Sequence, residues 1–224
     1  MNQTYAIPNF ESIVSLDQCE QHMLGLIKDN EPACFHLASG GSRTLAKLCF
    51  FAGIALELPA SSTIASVGAV ELLHNASLVH DDLQDQEMTR RGRDAIWKIY
   101  GKSHAICAGD AMISAAFASL AYAGPVPSLP DLLIHMHQAV AMTVRGQSRD
   151  VDAQNNTTEQ EYEDIAAMKS GPLIRLTLEL PLLMAGCEQY ISNAKFALNR
   201  FSIAYQILDD LADWQQDAQR NQLN

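Results

Sequence analysis

The chain has 224 residues, of which 48% are apolar, 18% charged and 7% aromatic, a globular composition with enough apolar material for one domain with a substantial core. Fifteen Lys and Arg against 26 Asp and Glu give a formal charge of -11, the wrong sign for a protein that holds nucleic-acid phosphates. Cys19, Cys34, Cys49, Cys107 and Cys187 stand far apart with no C-x-x-C pair, which predicts thiols used as small core residues in a reducing, cytoplasmic compartment.

Apolar residues recur at three- and four-residue steps and strand signals are nearly absent, so the sequence predicts an all-α chain. A first helix is expected over about residues 10–28, stopped by Asp29-Asn30-Glu31-Pro32. A second begins after Gly40-Gly41 and ends near Glu57, ahead of Pro59. Ser61, Ser62 and Thr63 then offer N-caps for a long helix that ends near Asp85. Residues 89–92 are expected to be a loop, followed by helices over about 103–121 and 129–145, with Gly124-Pro125-Val126-Pro127 between them. A polar connection over 150–158 precedes helices at about 159–168, 171–185 and 188–218. Residues 1–12 show no leader, and acidic residues interrupt the long apolar stretches, so no secretion signal and no integral membrane segment are expected. No repeat or linker divides the chain, which predicts a single domain over 1–224.

The long third helix ends in His80-Asp81-Asp82-Leu83-Gln84-Asp85. Asp81, Asp82 and Asp85 are spaced i, i+3 and i, i+4, so their carboxylates crowd one face and repel, by about 0.2–0.5 kcal/mol per pair, a cost that a bound cation reverses. For one such triad an ordinary solvated helix end is the alternative. The same D-D-x-x-D spacing returns at Asp209, Asp210 and Asp213, and two copies at the ends of apolar helices suit Mg²⁺ completed by substrate phosphates. Arg90 and Arg91 follow the first triad, and Lys169 precedes a Gly171-Pro172 break. Such cations offset charge on a leaving diphosphate.

The run Glu71-Leu-Leu-His74-Asn-Ala-Ser-Leu-Val-His80-Asp81-Asp82-Leu-Gln-Asp85 carries a resemblance, together with Arg90-Arg91-Gly92, Gly109-Asp110, Gly146-Gln147, Lys169-Ser170-Gly171 and Tyr205-Gln206-Ile-Leu-Asp209-Asp210-Leu-Ala-Asp213. In this order these segments resemble the trans-isoprenyl diphosphate synthase (polyprenyl synthetase) family, from about Gly40 to Asp213. The resemblance implies an isoprenoid synthase (terpenoid synthase) helical bundle around a central apolar cavity, usually as a homodimer, with a heterodimer as the alternative. It also implies three Mg²⁺ held by the two Asp triads, with Arg90, Lys169 and Gln206 on an allylic diphosphate. Arg43, His74 and Arg91 would face isopentenyl diphosphate, and Ala76 and Ser77 would floor the well that sets product length. Both are small, which favours a product of C20 or longer.

Two features depart from the family. Its G-G-K-R-x-R-P motif, whose Lys and second Arg grip isopentenyl diphosphate, is Gly40-Gly41-Ser42-Arg43-Thr44-Leu45-Ala46 here. Loss of two charge-assisted contacts weakens such binding by roughly two to four decades, with Arg43, Lys47, His74 and Arg91 as partial substitutes. The chain also stops at Asn224, where family members continue, so the domain is expected to lack the C-terminal helices. The expected activity is Mg²⁺-dependent condensation of an allylic prenyl diphosphate with isopentenyl diphosphate. A lyase that ionises one prenyl diphosphate, and a non-catalytic subunit of a heteromeric synthase, stay open as alternatives.

Overall fold

The computed structural model describes residues 14–152 and 158–204. The elements run α1 (Leu16–Ile27), α2 (Glu31–Ala38), α3 (Thr44–Ala55), α4 (Ala60–Gln84), β1 (Thr89–Arg90), β2 (Arg93–Asp94), α5 (Ile96–Tyr100), α6 (Lys102–Ala121), α7 (Leu129–Val151), α8 (Glu159–Lys169) and α9 (Gly171–Met184). A 3-10 turn at Glu188–Tyr190 leads into a last described helix, α10, over residues 191–204.

α4 is the axis of the bundle. Residues 62–73 are all buried, and a helix covered on every side for three turns is a central one. It packs most extensively on α6, then on α3, α9 and α1. Its polar residues are absorbed locally: Ser66 Oγ donates to the Thr63 carbonyl at 3.0 Å and Asn75 Nδ2 to the Glu71 carbonyl at 2.7 Å. Such internal partners are what make buried hydroxyls and amides tolerable. Around this axis the core gathers Met23, Leu37, Leu72, Met112, Leu120, Leu132, Met136, Leu176 and Leu180, all under 2% exposed.

Several boundaries differ from the sequence expectations, for local reasons. The Asn30-Glu31-Pro32 cluster does end α1, but it also starts α2: Asn30 Oδ1 accepts from the Ala33 amide at 3.0 Å and Pro32 occupies the first turn. Proline is compatible with that turn because its missing N–H has no intrahelical partner there. α4 opens at Pro59 without a side-chain cap, so Ser61, Ser62 and Thr63 do not cap it; Ser62 and Thr63 are buried inside it. α7 continues beyond residue 145 to Val151, bringing Gln147 and Asp150 onto a rigid element. Residues 89–92 are not a plain loop but the start of a hairpin in which Thr89 pairs with Asp94 and Arg90 with Arg93. Arg91 (φ 54°) and Gly92 (φ 74°) form its two-residue turn, the positive-φ geometry that matches strand twist.

Cys19 and Cys49 are buried as expected, whereas Cys34 and Cys187 are half-buried and Cys107 is exposed; all five are free thiols. Burial pushes the Cys49 thiol up to about 12, so it acts as an apolar group. One described helix, α6, is long and apolar enough to cross a membrane by length and composition, with 44% of that stretch buried inside the molecule. Its charged residues, Lys102 and Asp110, are too few to break the stretch, contrary to the expectation that every such run is interrupted.

Candidate active site

Three carboxylates at the C-terminal end of α4 are placed badly by ordinary helix electrostatics. They repel one another and also face the negative end of the helix dipole. Asp82 is 1% exposed. Burial raises its pKa even though Arg90 lowers it, and Asp85 is pushed up to about 6 by burial and by the neighbouring Asp81 charge. The arrangement persists because cations and an amide from three other elements meet it. Arg90 Nε donates to Asp82 Oδ1 at 2.7 Å, its Nη2 touches the same oxygen, and Asp81 Oδ2 lies 3.9 Å from Nη2. Lys169 Nζ reaches Asp81 Oδ1 at 3.1 Å and Asp150 Oδ2 at 2.7 Å. Gln147 Nε2 donates to Asp81 Oδ1 at 2.9 Å. For Lys169, burial alone lowers the pKa, but the Asp81 and Asp150 charges outweigh it and the ammonium ends up raised.

Chain breaks and close approaches put these groups there. α8 ends at Lys169 and α9 starts at Gly171, with Ser170 serving both as C-cap and N-cap. Lys169 therefore sits at the junction, turned towards α4. α7 can lie against this junction only because residue 146 has no side chain: a Cβ on Gly146 would be 2.5 Å from the Lys169 amide nitrogen. Arg90 is delivered by the hairpin, whose base is tied by Ala95 N to the Met88 carbonyl at 3.0 Å and by Trp97 Nε1 to the Glu87 carbonyl at 2.7 Å. His80 faces Gly109 across α6, where a Cβ would strike the imidazole ring.

A second, mostly basic corner lies beside the first. Arg43, in the left-handed region at φ 53°, donates to Glu20 Oε1 at 2.9 Å, to Glu71 Oε1 at 3.1 Å and to the Leu37 carbonyl at 2.7 Å. Glu71 also accepts from the Ala46 amide at 3.2 Å and from Asn75 Nδ2 at 3.1 Å. Arg91 Nη1 is bound to the Gly40 carbonyl and lies 3.3 Å from Asn75 Oδ1. His36 is buried with no hydrogen-bond partner on Nε2. Burial, with Arg91, Arg90, His74 and Arg43 adding to it, lowers its pKa to about 3. Burial lowers His74 as well, against the pull of Glu71. Both rings are therefore neutral at physiological pH.

The structure thus brings Asp81, Asp82, Arg90 and Lys169 into one interaction cluster with Asp85 beside it. Arg43, Arg91 and His74 belong to the adjacent corner, but Arg43 is consumed by two carboxylates and a carbonyl. Ala76 is 1% exposed, and Ser77 is half-buried with its hydroxyl turned back to the His74 carbonyl at 2.8 Å. Gln206, Asp209, Asp210 and Asp213 lie outside the described residues. Sequence reasoning missed Asp150, Glu20 and His36. For Asp150 a signal existed, since it stands at i+4 from Gly146 and i+3 from Gln147 on a helical stretch. For Glu20 none did.

Among the described residues no three His, Cys, Asp or Glu side chains converge closely enough to hold a metal ion. The donor chemistry nevertheless suits a hard divalent cation. Asp82 Oδ2 is buried without a hydrogen-bond partner, and Lys169 and Arg90 supply positive charge where such an ion would otherwise balance Asp81 and Asp82. The carboxylates at this end of α4 therefore fit Mg²⁺.

Comparison with known proteins bears on the family and the fold. Over 167 residues the chain is 34% identical to the (2E,6E)-farnesyl diphosphate synthase of Mycobacterium tuberculosis, covering 73% of this chain and 46% of that protein. Geranylgeranyl pyrophosphate synthetase from Pyrococcus horikoshii superposes with a TM-score of 0.82 at 29% identity, covering 88% of this chain and 64% of the other. An isoprenoid synthase family member from Thermotoga neapolitana superposes at 0.81 and 26% identity, over 90% of this chain and 81% of that one. The fold is the isoprenoid synthase helical bundle. The chain spans about half the length of the relatives it matches in sequence, 55% and 46% in two cases. The polyprenyl synthetase family model matches residues 30–222, nearly the whole sequence, and the chain belongs to that family.

Proposed function

We propose that the protein is a trans-prenyltransferase that ionises an allylic prenyl diphosphate at the carboxylate end of α4 and joins the allylic group to isopentenyl diphosphate, giving a product five carbons longer. The observation that carries this reading is the cluster in which Lys169 and Gln147 engage Asp81 while Arg90 engages Asp82. Cations held by carboxylates in the free protein are available to a diphosphate once those carboxylates have another partner.

Asp81, Asp82 and Asp85, with Asp209, Asp210 and Asp213 from the second triad, would hold Mg²⁺, about three ions by the family resemblance. Bound Mg²⁺ supplies positive charge to the diphosphate and so lowers the barrier to breaking the allylic C–O bond. Lys169 and Arg90 then turn from Asp81 and Asp82 to the diphosphate oxygens and stabilise the charge that develops there, with Gln206 as a further contact. The two neutral histidines leave the corner free of added imidazolium charge. The apolar bundle excludes water from the allylic cation, and the double bond of the acceptor attacks it before a proton is lost.

Small side chains at Ala76 and Ser77 support a long product, C20 or longer. The named relatives are farnesyl and geranylgeranyl diphosphate synthases. A homodimer in the cytoplasm completes the reading. A lyase acting on one prenyl diphosphate is favoured by one observation: Leu45 is 4% exposed in the core and Arg43 is fully engaged, leaving the acceptor corner short of charge.

Incubation with Mg²⁺ and geranyl, farnesyl or geranylgeranyl diphosphate, with and without isopentenyl diphosphate, separates the two. Elongated alcohols after phosphatase treatment are expected only with the acceptor. Hydrocarbon products without it would establish the lyase instead.

A further inference from the structure

The loop ahead of α3, residues 40–42, attracts two cations to three consecutive backbone positions. Arg91 binds the Gly40 carbonyl and lies over Gly41, where a Cβ would sit 2.6 Å from its Nε. Lys47 Nζ lies 2.7 Å from the Ser42 carbonyl. Arg43 stands between them in sequence yet turns away, into Glu20, Glu71 and the Leu37 carbonyl. Although Arg43 and Lys47 are spaced i, i+4, they do not act together, because Arg43 is the left-handed N-cap of α3 and Lys47 is inside the helix.

Lys47 differs from its neighbours in what it is attached to. It is exposed, and among the described residues it forms no ion pair with a carboxylate. A single carbonyl occupies one of the three ammonium donors, which leaves two for an anion. Its Nζ lies against the backbone of residue 42, at the carbonyl of the residue that stands where the family's motif has Lys. Leu45 cannot be the second source of charge, since it is 4% exposed in the core. At the same corner His36 Nε2, on a residue 3% exposed, is still without a partner.

We propose that Lys47 is a substrate-binding residue that grips the diphosphate of the acceptor together with Arg91, supplying from the second turn of α3 the charge that Ser42 lacks. The identity of the anion as isopentenyl diphosphate rests on the prenyl-transfer reading above.

The test is calorimetric titration of the whole chain with isopentenyl diphosphate, alongside KM values for both substrates, in wild type, Lys47→Gln, Lys47→Arg and Ser42→Lys/Lys47→Gln. Lys47 is exposed, so these variants keep the fold. Loss of one charge-assisted contact is expected to weaken acceptor binding by roughly tenfold to a hundredfold in Lys47→Gln. Lys47→Arg retains binding, the double variant recovers it, and the KM for the allylic diphosphate stays unchanged in all of them. Equal acceptor affinity in wild type and Lys47→Gln would overturn the proposal, as would a wild type that binds no isopentenyl diphosphate. A wild type that binds the acceptor through Lys47 but never elongates removes the transfer reading while leaving Lys47 as the anion contact.

Discussion

Glu71 shows how one residue fixes the use of others. It is 1% exposed and holds Arg43, Asn75 and the Ala46 amide together. Removing the cation leaves a buried carboxylate without its counter-charge, and breaking such a pair costs about 3–5 kcal/mol. Arg43→Leu is therefore expected to lower stability in urea denaturation by about that amount, and Glu71→Gln by less, because an amide at 71 keeps part of the hydrogen bonding. Equal, small effects would contradict the network. The resemblance assigns Arg43 to the acceptor, and nothing in the sequence signals that Glu20 and Glu71 would claim it, because the three meet only when α1, α3 and α4 pack.

His36 gives a pH test at the same scale. Its pKa in the folded chain is about 3, below the unfolded value of about 6.5. A depressed pKa means its contribution is complete above pH 6.5 and is lost as pH falls towards 3, by about 2 kcal/mol at pH 5. Wild type should lose that stability between pH 7 and 5, and His36→Leu should lose correspondingly less. Equal losses of unfolding free energy between pH 7 and pH 5 in wild type and His36→Leu, read from urea melts, would rule out a buried neutral His36.

At the scale of elements, the site depends on how closely α7 approaches the α8–α9 junction. Gly146→Ala puts a methyl 2.5 Å from the Lys169 amide nitrogen. The contact is with backbone, so the helices must separate and Lys169 withdraws from Asp81. Expected outcomes are a kcat about tenfold to a hundredfold lower, by the logic of a misplaced catalytic cation, together with a lower melting temperature. Gly25→Ala is the control: it is exposed on α1, and a Cβ there meets nothing within 4 Å. It is expected to stabilise by up to about 1 kcal/mol with activity unchanged. A Gly146→Ala enzyme of normal kcat would contradict the close approach.

The long amphipathic or wholly buried helices, α4, α6, α7 and α9, are legible in the sequence because apolar periodicity persists over many turns. α2 and α5 are not. The first hides because Asn30 and Pro32 signal a stop and a start in the same four residues, and the second because five residues are too few to show a period. The hairpin was equally hidden, since Arg91 rather than Asn occupies the first left-handed turn position. Gly101 at φ 91° separates α5 from α6.

For the whole molecule, the charge of -11 gains a specific meaning at the end of α4. The two Asp triads were legible because their spacing repeats at residues 81 and 209. The partners that hold the first triad came from the hairpin, α7 and α8, and their convergence is a property of the packed bundle. A carboxylate cluster balanced by Lys169 and Arg90 should accept Mg²⁺ and diphosphate together. At about a hundredfold excess over Kd, such ligands add about 2.7 kcal/mol, a rise in melting temperature of about 5 °C or more for a domain of this size. Asp82→Asn should show little of that rise.

The most direct measurement of the central claim is release of inorganic diphosphate from an allylic prenyl diphosphate, followed with and without Mg²⁺, in wild type and Asp82→Asn. The proposed function predicts Mg²⁺-dependent release by wild type and a loss of roughly a hundredfold or more in the variant, as for removal of a group that stabilises the transition state. No release by wild type, or equal release by Asp82→Asn, would contradict the assignment of this carboxylate cluster as the ionisation site.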